Sequence, residues 1–383
     1  MKNKITDSFG LTFNDVLLVP GYSDFKREDL NTSTKLSKNI TLESPLLSSP
    51  MDTVTESDLA IALAQAGGMG FIHRNLTVTD QATEVAKVKD KKHKVGAAIG
   101  VSIGYEERIE ALMQAGVDMV ILDSAHGYTS FMLDVLKHIK KTYPSLEVMA
   151  GNIATYDAAA AFVAAGADSL RIGMGPGAIC TTRIVSGMGV PQITAVMDTA
   201  RATVGTDVSV VSDGGVKYSG DVIKALAAGA DAVMMGSYFA SCEEAPGDVF
   251  ELGANEIPSR FKSVIDTNQP DKKYKFKTYR GMGSMGAMKH GAKIKSEDEY
   301  HGKSYKDRVL VAEGVEGLVP VKGTVEQMVD QAIGGIKSGM YYVGVKTIDE
   351  LQKKGQLMQI TQASLSESHP HDILITNPGE NYS

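Results

Sequence analysis

The stretch AGVDMVIL (residues 115–122) returns in the chain as AGADSLRI (165–172) and AGADAVMM (228–235), and a shorter variant, AGGMGFI, occupies residues 66–72. In each copy an alanine-glycine pair precedes a short, mostly apolar run. Glycine commonly ends a helix in the left-handed conformation, and a short apolar run after such a signal is typical of a buried strand. The pattern therefore predicts a repeated helix-to-strand junction.

Four further apolar runs, at residues 45–49, 95–99, 147–150 and 208–212, bring the number of predicted strands to eight. Most intervals between them are about 22–28 residues, which suits one helix and two short loops. We therefore expect an α/β fold, a (β/α)8 TIM barrel. The alternative is a doubly wound open sheet, and the count of eight strands argues against it.

Two intervals are longer than the rest. One follows the sixth predicted strand from Gly173, and the other runs from residue 241 to residue 323 after the eighth. Barrel active sites are built from the loops after the carboxyl ends of the strands, so both intervals are candidate site segments. The second contains the glycine-rich YRGMGSMGA (279–287) and a charged stretch (290–308), which predict a long mobile flap after strand eight. We expect residues 1–383 to form a single catalytic domain.

Composition narrows the class of protein. The net charge of -7 and pI of about 5.7 give no broad basic field for nucleic acid. Two cysteines cannot form a disulfide framework, and we find no signal peptide and no apolar run of membrane-spanning length. The expectation is a cytoplasmic protein with neither a nucleic acid nor a membrane as partner.

The loop after the sixth strand reads GMGPGAICTTR (173–183) and carries the clearest chemical signal. Its glycines allow the backbone to approach a ligand or cation, and a thiol in such an open loop can act as a nucleophilic thiolate. Cys180 is therefore the candidate nucleophile. The alternative, a small buried side chain, suits Cys242 better, because that cysteine stands beside two glutamates outside any such loop.

Glycines also follow the last two barrel strands, in SDGG (212–215) and at Gly236-Ser237. The backbone amides of these two loops form the usual phosphate site of the fold. Asp213 has two interpretations, as a ligand-binding carboxylate or as a helix cap.

Eight motifs occur together and in order along almost the whole chain: LTFNDVLLVPGY (11–22), SSPMDTVTE (48–56), LDSAHG (122–127), GMGPGAICTTR (173–183), SDGG (212–215), YRGMGSMGAM (279–288), AEGVEG (312–317) and ESHPHD (367–372). With them the chain resembles the IMP dehydrogenase and GMP reductase family. The resemblance implies an oxidoreductase that attacks carbon 2 of a purine nucleoside monophosphate with a cysteine thiolate.

The resemblance also implies a role for individual residues. Cys180 would be the nucleophile, and the other catalytic positions are Thr182, Glu299, Tyr300 and Glu313. The nucleotide would be held by Ser49, Met51, Asp213, Gly215, Gly236, Ser237 and Tyr279, and its base by Gly281, Met282 and Gly283. The nicotinamide cofactor would face Asp123, Ser124, Asn152 and Gly173. A monovalent cation, expected to be potassium, would bind the carbonyls of Gly173, Gly175 and Cys180, with Glu367, Ser368 and His369 from a neighbouring subunit of a homotetramer.

The direction of the reaction stays open. The whole-chain pattern favours oxidation of IMP with NAD, as in GMP biosynthesis. Glu299-Tyr300 dissents, because the dehydrogenase flap carries an Arg-Tyr pair at this point and the reductase carries Glu-Tyr. Ala178, in place of a phosphate-binding serine, also departs from the dehydrogenase pattern. If the reaction is instead reduction of GMP to IMP and ammonia, the cofactor is NADP(H).

Two further expectations follow from the resemblance. Thr182 and Glu313 occupy the positions of an alternative hydroxyl–carboxylate relay that can activate water without the flap arginine. The regulatory pair of cystathionine-synthase-type domains has no room in the short connection at 85–95, so no separate regulatory domain is expected. A minor alternative is a non-catalytic paralogue that binds nucleotides, against which the intact Cys180-Thr181-Thr182 argues.

Overall fold

The computed structural model describes residues 5–6, 9–258, 261, 265, 272–294, 311–373, 375 and 379. Its strands are β1 Val16–Leu18, β2 Thr34–Lys35, β3 Thr41–Leu42, β4 Leu46–Ser48, β5 Met69–Ile72, β6 Val95–Ile99, β7 Met119–Asp123, β8 Glu147–Ile153, β9 Ser169–Ile172, β10 Ser209–Asp213, β11 Ala232–Met235, β12 Val249–Gly253, β13 Lys273–Arg280, β14 Glu316–Pro320 and β15 Leu357–Gln359. Its helices are α1 Ser57–Gln65, α2 Val78–Asp90, α3 Tyr105–Gln114, α4 Ser130–Thr142, α5 Tyr156–Ala164, α6 Thr182–Val185, α7 Gln192–Thr203, α8 Ser219–Ala227, α9 Ser237–Ala240, α10 Met285–Ile294, α11 Val325–Val343, α12 Ile348–Lys354 and α13 Gln362–Glu367.

Strands β4 to β11 form a closed parallel barrel in which each strand pairs with its neighbour in sequence and β11 pairs back onto β4. All eight predicted strands are present, and helices connect them. The predicted (β/α)8 barrel is therefore confirmed. The long helix that follows the eighth barrel strand, α11, begins only after the interval that starts at residue 241.

The repeated alanine-glycine pair ends four helices in the predicted way. Gly67, Gly116, Gly166 and Gly229 all have positive φ, between 83° and 112°. In each case the next N–H bonds back to the last turn of the helix, as from Val117 to the carbonyl of Leu112 (3.0 Å). Left-handed glycine thus turns the chain from the helix into the following strand.

The aspartate of the repeat fixes the junction to the barrel. Asp118 accepts a hydrogen bond from the N–H of Val95 (2.8 Å) and donates its own N–H to the Val95 carbonyl (3.0 Å). Asp168 makes the same pair of contacts with Val148, and Asp231 makes it with Val210. Each carboxylate therefore holds the start of the preceding barrel strand, an interaction not apparent from the sequence pattern alone.

The barrel interior is packed with side chains that alternate with those facing the helices. The interior set is Leu47, Met69, Phe71, Ala98, Met119, Ile121, Met149, Val211, Ala232 and Met234. The antiparallel hairpin β2–β3 closes the amino-terminal end, and its Leu36, Ile40 and Leu42 pack into the same cluster. The barrel is a filled core that leaves its carboxyl end for the site.

The interval after β11 begins with regular structure. β12, β13 and β14 form a three-stranded antiparallel sheet with a small core of Ile257, Tyr274 and Phe276. Tyr279, predicted to begin the flap, is a buried residue near the end of β13. Glu299, Tyr300 and most of the charged stretch lie outside the described residues. No helix among the described residues is long and apolar enough to cross a membrane.

Replacing Leu36 with alanine is expected to lower the free energy of unfolding by about 2–5 kcal/mol, because a fully buried side chain is lost from the barrel plug. Urea unfolding followed by circular dichroism measures the change. Leu17→Ala is the control, since Leu17 lies on β1 with a partly exposed side chain. Equal losses in the two variants would contradict the role of the hairpin as part of the core.

Candidate active site

The loop after β9 is shaped by two glycines, Gly173 and Gly175, at positions with positive φ and no room for a Cβ atom. Gly175 has a φ of 75°, and a Cβ atom there would lie 2.6 Å from the Arg183 side chain. At Gly173, whose φ is 151°, a Cβ atom would lie 2.2 Å from the carbonyl oxygen of Asp213. The loop therefore runs directly over the end of β10, and it carries Cys180 into the mouth of the barrel.

Cys180, Thr182 and Glu313 form a chain of hydrogen bonds. The Thr182 hydroxyl donates to Oε2 of Glu313 (2.9 Å), and Sγ of Cys180 lies 3.2 Å from the same hydroxyl. Because Thr182 has only one hydroxyl hydrogen, the thiol is the donor in the second contact. The arrangement connects a nucleophile to a carboxylate through one hydroxyl, and it joins residues separated by 131 positions.

Main-chain bonds hold this array together. The N–H of Thr181 donates to the Glu313 carbonyl (2.9 Å), and Val315 donates to the carbonyl of Ile179 (2.9 Å). On its other side the segment 313–315 bonds to the predicted base-binding glycines, since Glu313 donates to the Gly283 carbonyl and the N–H of Gly281 donates to that of Val315. Segments 177–182, 281–284 and 313–315 therefore form one unit, with Met282 between the two bonded glycines.

A pocket of about 80 Å³ lies beside the Cys180 loop. Its lining is mainly glycine and small or apolar side chains, with one lysine, one serine and one tyrosine: Pro176, Gly177, Ala178, Gly214, Gly215, Val216, Lys217, Met234, Met235, Gly236, Ser237 and Tyr279. The sequence predicted four of these residues as nucleotide ligands: Gly215, Gly236, Ser237 and Tyr279.

Tyr279 closes one wall of this pocket. A Cβ atom on Gly236 would lie 2.7 Å from the Tyr279 hydroxyl, 3.1 Å from Sδ of Met51 and 3.7 Å from Oγ of Ser49. The structure thus brings together these predicted residues from three strand ends, those of β4, β11 and β13. Burial raises the pKa of Tyr279 well above its usual value, and the neighbouring Asp213 and Cys180 act in the same direction. The hydroxyl therefore stays protonated and can donate to a bound anion.

Arg171, which the sequence analysis did not single out, joins two of the predicted site carboxylates. Its guanidinium donates to Asp123 (2.7 Å) and to Asp213 (2.9 Å), and all three side chains are largely buried. Asn152 also donates to Asp213 (3.0 Å) and to the Gly173 carbonyl (2.9 Å). The available signal was a charged residue inside an apolar strand run, AGADSLRI.

The charges around Asp123 oppose the effect of its burial. Burial alone would raise the pKa of Asp123, but the guanidiniums of Arg171 and Arg74 hold it below its usual value. Conversely, Asp213 and Asp123 raise the pKa of Arg171 despite its burial. Asp123 and Arg171 are therefore both charged at neutral pH, and together with Asp213 they form a fixed polar floor at the carboxyl ends of β7, β9 and β10.

A second unpredicted ion pair fixes the end of β13 to the barrel. Two nitrogens of the Arg280 guanidinium donate hydrogen bonds to the carboxylate of Asp52 (2.6–3.1 Å), whose side chain is only 4% exposed. Asn75 also donates to Asp52 (2.7 Å), and the N–H of Arg280 donates to Thr53 (3.1 Å). This pair positions the start of the flap next to the loop after β4.

The remaining predicted residues lie in two places, beside Asp123 and at the end of α13. Ser124 lies beside the Asp123 cluster, and its carbonyl accepts a bond from the N–H of Asn152 (2.9 Å). The predicted cation ligands Glu367, Ser368 and His369 lie at the end of α13, where the His369 ring contacts Tyr218. Among the described residues, no cluster of three or more His, Cys, Asp or Glu side chains could hold a metal ion.

Comparison with known proteins gives a consistent family. The family model for the IMP dehydrogenase / GMP reductase domain matches residues 10–371. The chain is 40% identical to the inosine-5'-monophosphate dehydrogenase of Borreliella burgdorferi, with 97% of this chain and 99% of the relative covered. Identity to the enzyme of the same name from Cryptosporidium parvum is also 40%, with 98% of each chain covered. For that from Chlorobaculum parvum it is 36%, with 97% of this chain and 98% of the relative covered.

Substituting Arg171 with methionine is expected to lower the free energy of unfolding by about 3–5 kcal/mol at neutral pH, because two buried carboxylates lose their shared partner. In the parent, the depressed pKa of Asp123 stabilises the folded protein above the unfolded value of about 4, and this stabilisation is lost as the pH falls through the depressed pKa. The variant raises that pKa. The difference between parent and variant should therefore shrink as the pH is lowered from about 7 to about 4.5.

Urea unfolding at both pH values tests this expectation. Arg201→Met is the matched control, because the contacts of Arg201 lie at the surface: an exposed ion pair with Asp198 and a cation–π contact with the partly exposed ring of Tyr156. It should change stability by less than about 0.5 kcal/mol at either pH. A pH-independent loss in Arg171→Met would show that the ion pairs do not account for its effect.

Proposed function

We propose that this chain, which belongs to the IMP dehydrogenase / GMP reductase family, oxidises IMP with NAD and water to XMP and NADH. The observation that carries the proposal is the Cys180–Thr182–Glu313 array beside the glycine-lined pocket. The relatives named inosine-5'-monophosphate dehydrogenase, which match almost the full chain, support this direction. The product XMP suits guanine nucleotide synthesis.

The chemistry follows from the nucleophile. The Cys180 thiolate adds to carbon 2 of the hypoxanthine ring, and hydride then leaves that carbon, so that a thioimidate remains between Cys180 and the purine. NAD, when bound, supplies the acceptor for the hydride. Water then adds to the same carbon, the carbon–sulfur bond breaks, and XMP is released. Thr182 and Glu313 can accept the proton of this water by general-base action.

Nucleotide binding is assigned to the pocket and its rim. We assign the 5'-phosphate to Gly215, Gly236, Ser237 and Tyr279, since glycine loops and protonated hydroxyls suit an anion. Ser49 and Met51 adjoin them, and Asp213 is placed on the ribose. The base is assigned to the 281–283 segment, which is hydrogen-bonded to the segment 313–315. Ala178 lines the pocket without a hydroxyl, so the phosphate loses one donor that the family commonly supplies.

The cofactor is assigned to the opposite side of the polar floor. Asp123 is a fixed carboxylate at the end of β7, and an ionised carboxylate is a suitable acceptor for ribose hydroxyls. Ser124, Asn152 and Gly173 lie beside it and are assigned to the same cofactor. The donor set therefore fits a dinucleotide. For the monovalent cation, expected to be potassium, we assign the carbonyls of Gly173, Gly175 and Cys180, with Glu367, Ser368 and His369 of a neighbouring subunit in a homotetramer.

The alternative reaction, reduction of GMP with NADPH, is not favoured, because the relatives reported above carry the dehydrogenase name. Its main support, Glu299-Tyr300, lies outside the described residues.

We also propose a single catalytic domain that acts in the cytoplasm. In support, α2 ends at Asp90 and β6 begins at Val95, whereas the alignment with the Chlorobaculum enzyme spans 503 positions, more than the 383 residues of this chain.

Cys180→Ala is expected to abolish oxidation of IMP while leaving IMP binding close to that of the parent, because the variant lacks only the nucleophile. Turnover is followed by the absorbance of NADH with IMP and NAD, and binding by calorimetry. Cys242→Ala is the control for loss of a thiol, since Cys242 is buried and does not line the pocket. The same assay with GMP and NADPH tests the reductase: a parent that consumes NADPH with GMP but forms no NADH with IMP would overturn the proposed direction.

Glu313→Gln is expected to lower the steady-state rate by about 10²-fold or more, because the relay loses the group that accepts the proton from water. The first turnover should still release NADH as a burst, since hydride leaves before water attacks. Stopped-flow absorbance measures both phases, with Glu326→Gln on the exposed first turn of α11 as control. A burst slowed as much as the steady state would place Glu313 in thiolate formation instead of the water step.

A further inference from the structure

Strand β13 carries three lysines on one face, at positions 273, 275 and 277. The regular alternation suggests a solvated face of the strand, and Lys273 and Lys275 are indeed exposed. Lys277 is only 4% exposed, because the turn at residues 242–245 covers its side chain. Its side chain is therefore a buried ammonium that the reaction does not use.

The ammonium of Lys277 lies in a cage of main-chain carbonyls. Nζ donates to the carbonyl oxygens of Cys242 (3.1 Å), Glu243 (2.8 Å) and Ala245. An ammonium has three donors, and all three are used. Burial lowers the pKa of Lys277, partly offset by Cys242, Glu244 and Glu243. The cage is thus a monovalent cation site that is filled from within the chain.

The caged turn is fixed on its other side as well. The N–H of Glu243 donates to the Gly323 carbonyl (2.9 Å), and the Glu244 carboxylate accepts from the N–H of Val325 at the start of α11 (3.0 Å). The turn follows α9, whose first residue is Ser237. Lys277 therefore joins β13 to a rigid turn directly after one wall of the pocket.

Both walls of the pocket depend on this contact. Ser237 lies on the side of the turn, and Tyr279 lies two residues after Lys277 on the same face of β13. A shift of the strand relative to the turn would move the Tyr279 hydroxyl away from Gly236 and Ser237. The carbonyl cage fixes the position of β13 relative to the turn, because the Lys277 side chain comes from the strand and the carbonyls come from the turn. The Arg280–Asp52 ion pair fixes the residue that follows Tyr279 in the strand.

We propose that Lys277 is a positioning residue whose caged ammonium holds Ser237 and Tyr279 at the separation needed to bind the 5'-phosphate of the nucleotide. The inference rests on the proposed function, since that function places the phosphate in this pocket. It predicts that loss of the ammonium weakens binding of a phosphorylated ligand and spares its dephosphorylated form.

Lys277→Met keeps the length of the side chain and removes its charge and donors. We expect the Kd for IMP to rise about tenfold or more and the Kd for inosine to change by less than about twofold. Lys275→Met is the matched control, because it removes an exposed lysine from the same face of the same strand, and both constants should stay at the parent values. Calorimetry measures binding without turnover, so a parent that binds IMP but does not oxidise it contradicts the proposed reaction and not this inference.

Chemical rescue tests the cation itself. Lys277→Ala lacks the four atoms that propylammonium supplies, so this ion should restore IMP binding in the variant and leave Lys275→Ala and the parent unchanged. Propanol, a neutral molecule of the same length, should restore nothing. Equal rescue by both compounds would overturn the role of the charge. An unchanged Kd for IMP in Lys277→Met, an equal rise for IMP and inosine, or loss of the cooperative thermal transition would each reduce Lys277 to an ordinary structural residue and overturn the proposal.

Discussion

The barrel depends on one junction that recurs between helix and strand. A glycine with positive φ ends the helix. Two residues later an aspartate binds both the N–H and the carbonyl of one residue near the start of the preceding strand, as Asp118 does with Val95. The carboxylate and the backbone of that aspartate thus satisfy an N–H and a carbonyl that would otherwise be left at the end of the parallel ladder. The copy at residues 66–72 shows the limit of the pattern: it is one residue shorter and has no aspartate, and a Cβ atom on Gly68, directly before β5, would lie 2.5 Å from the Leu46 carbonyl.

These junctions stabilise the amino-terminal end of the barrel, so the loops at the carboxyl end are not needed to hold the strands together. The difference is visible in the charges. At the amino-terminal end each aspartate serves backbone groups and, for Asp118 and Asp168, a neighbouring lysine. At the carboxyl end, buried charges bind one another, with Arg171 between Asp123 and Asp213. A floor of mutually paired charges keeps its geometry when a ligand binds, which favours pre-organised recognition of hydroxyl groups.

The sequence predicts the barrel and the nucleophile loop well, because both have local signals: apolar runs after glycine, and a cysteine among glycines. Thr182 and Glu313 could be named only through the family resemblance, since 131 positions separate them and no local pattern indicates their contact. Arg171, Asp52 and Lys277 were missed for a different reason. Each is a charged residue in a segment that looks either apolar or solvated, and whether it is buried depends on which strand end or turn lies opposite, a property of the tertiary fold.

Two parts of the site, the Cys180 loop and the start of the insertion, are held in place by different kinds of contact. The Cys180 loop gains its shape from glycines and from main-chain bonds to 313–315, whereas the root of the insertion is fixed by charges, through Arg280–Asp52 and Lys277. Main-chain bonds fix the direction of a backbone but tolerate most side chains, so the nucleophile segment can vary at residues such as Ala178 without losing its course. Buried charges tolerate no such change, because a single substitution leaves a partner unpaired. Variation in the strength of phosphate binding is therefore easier to accommodate in the loop after β9 than at the base of β13.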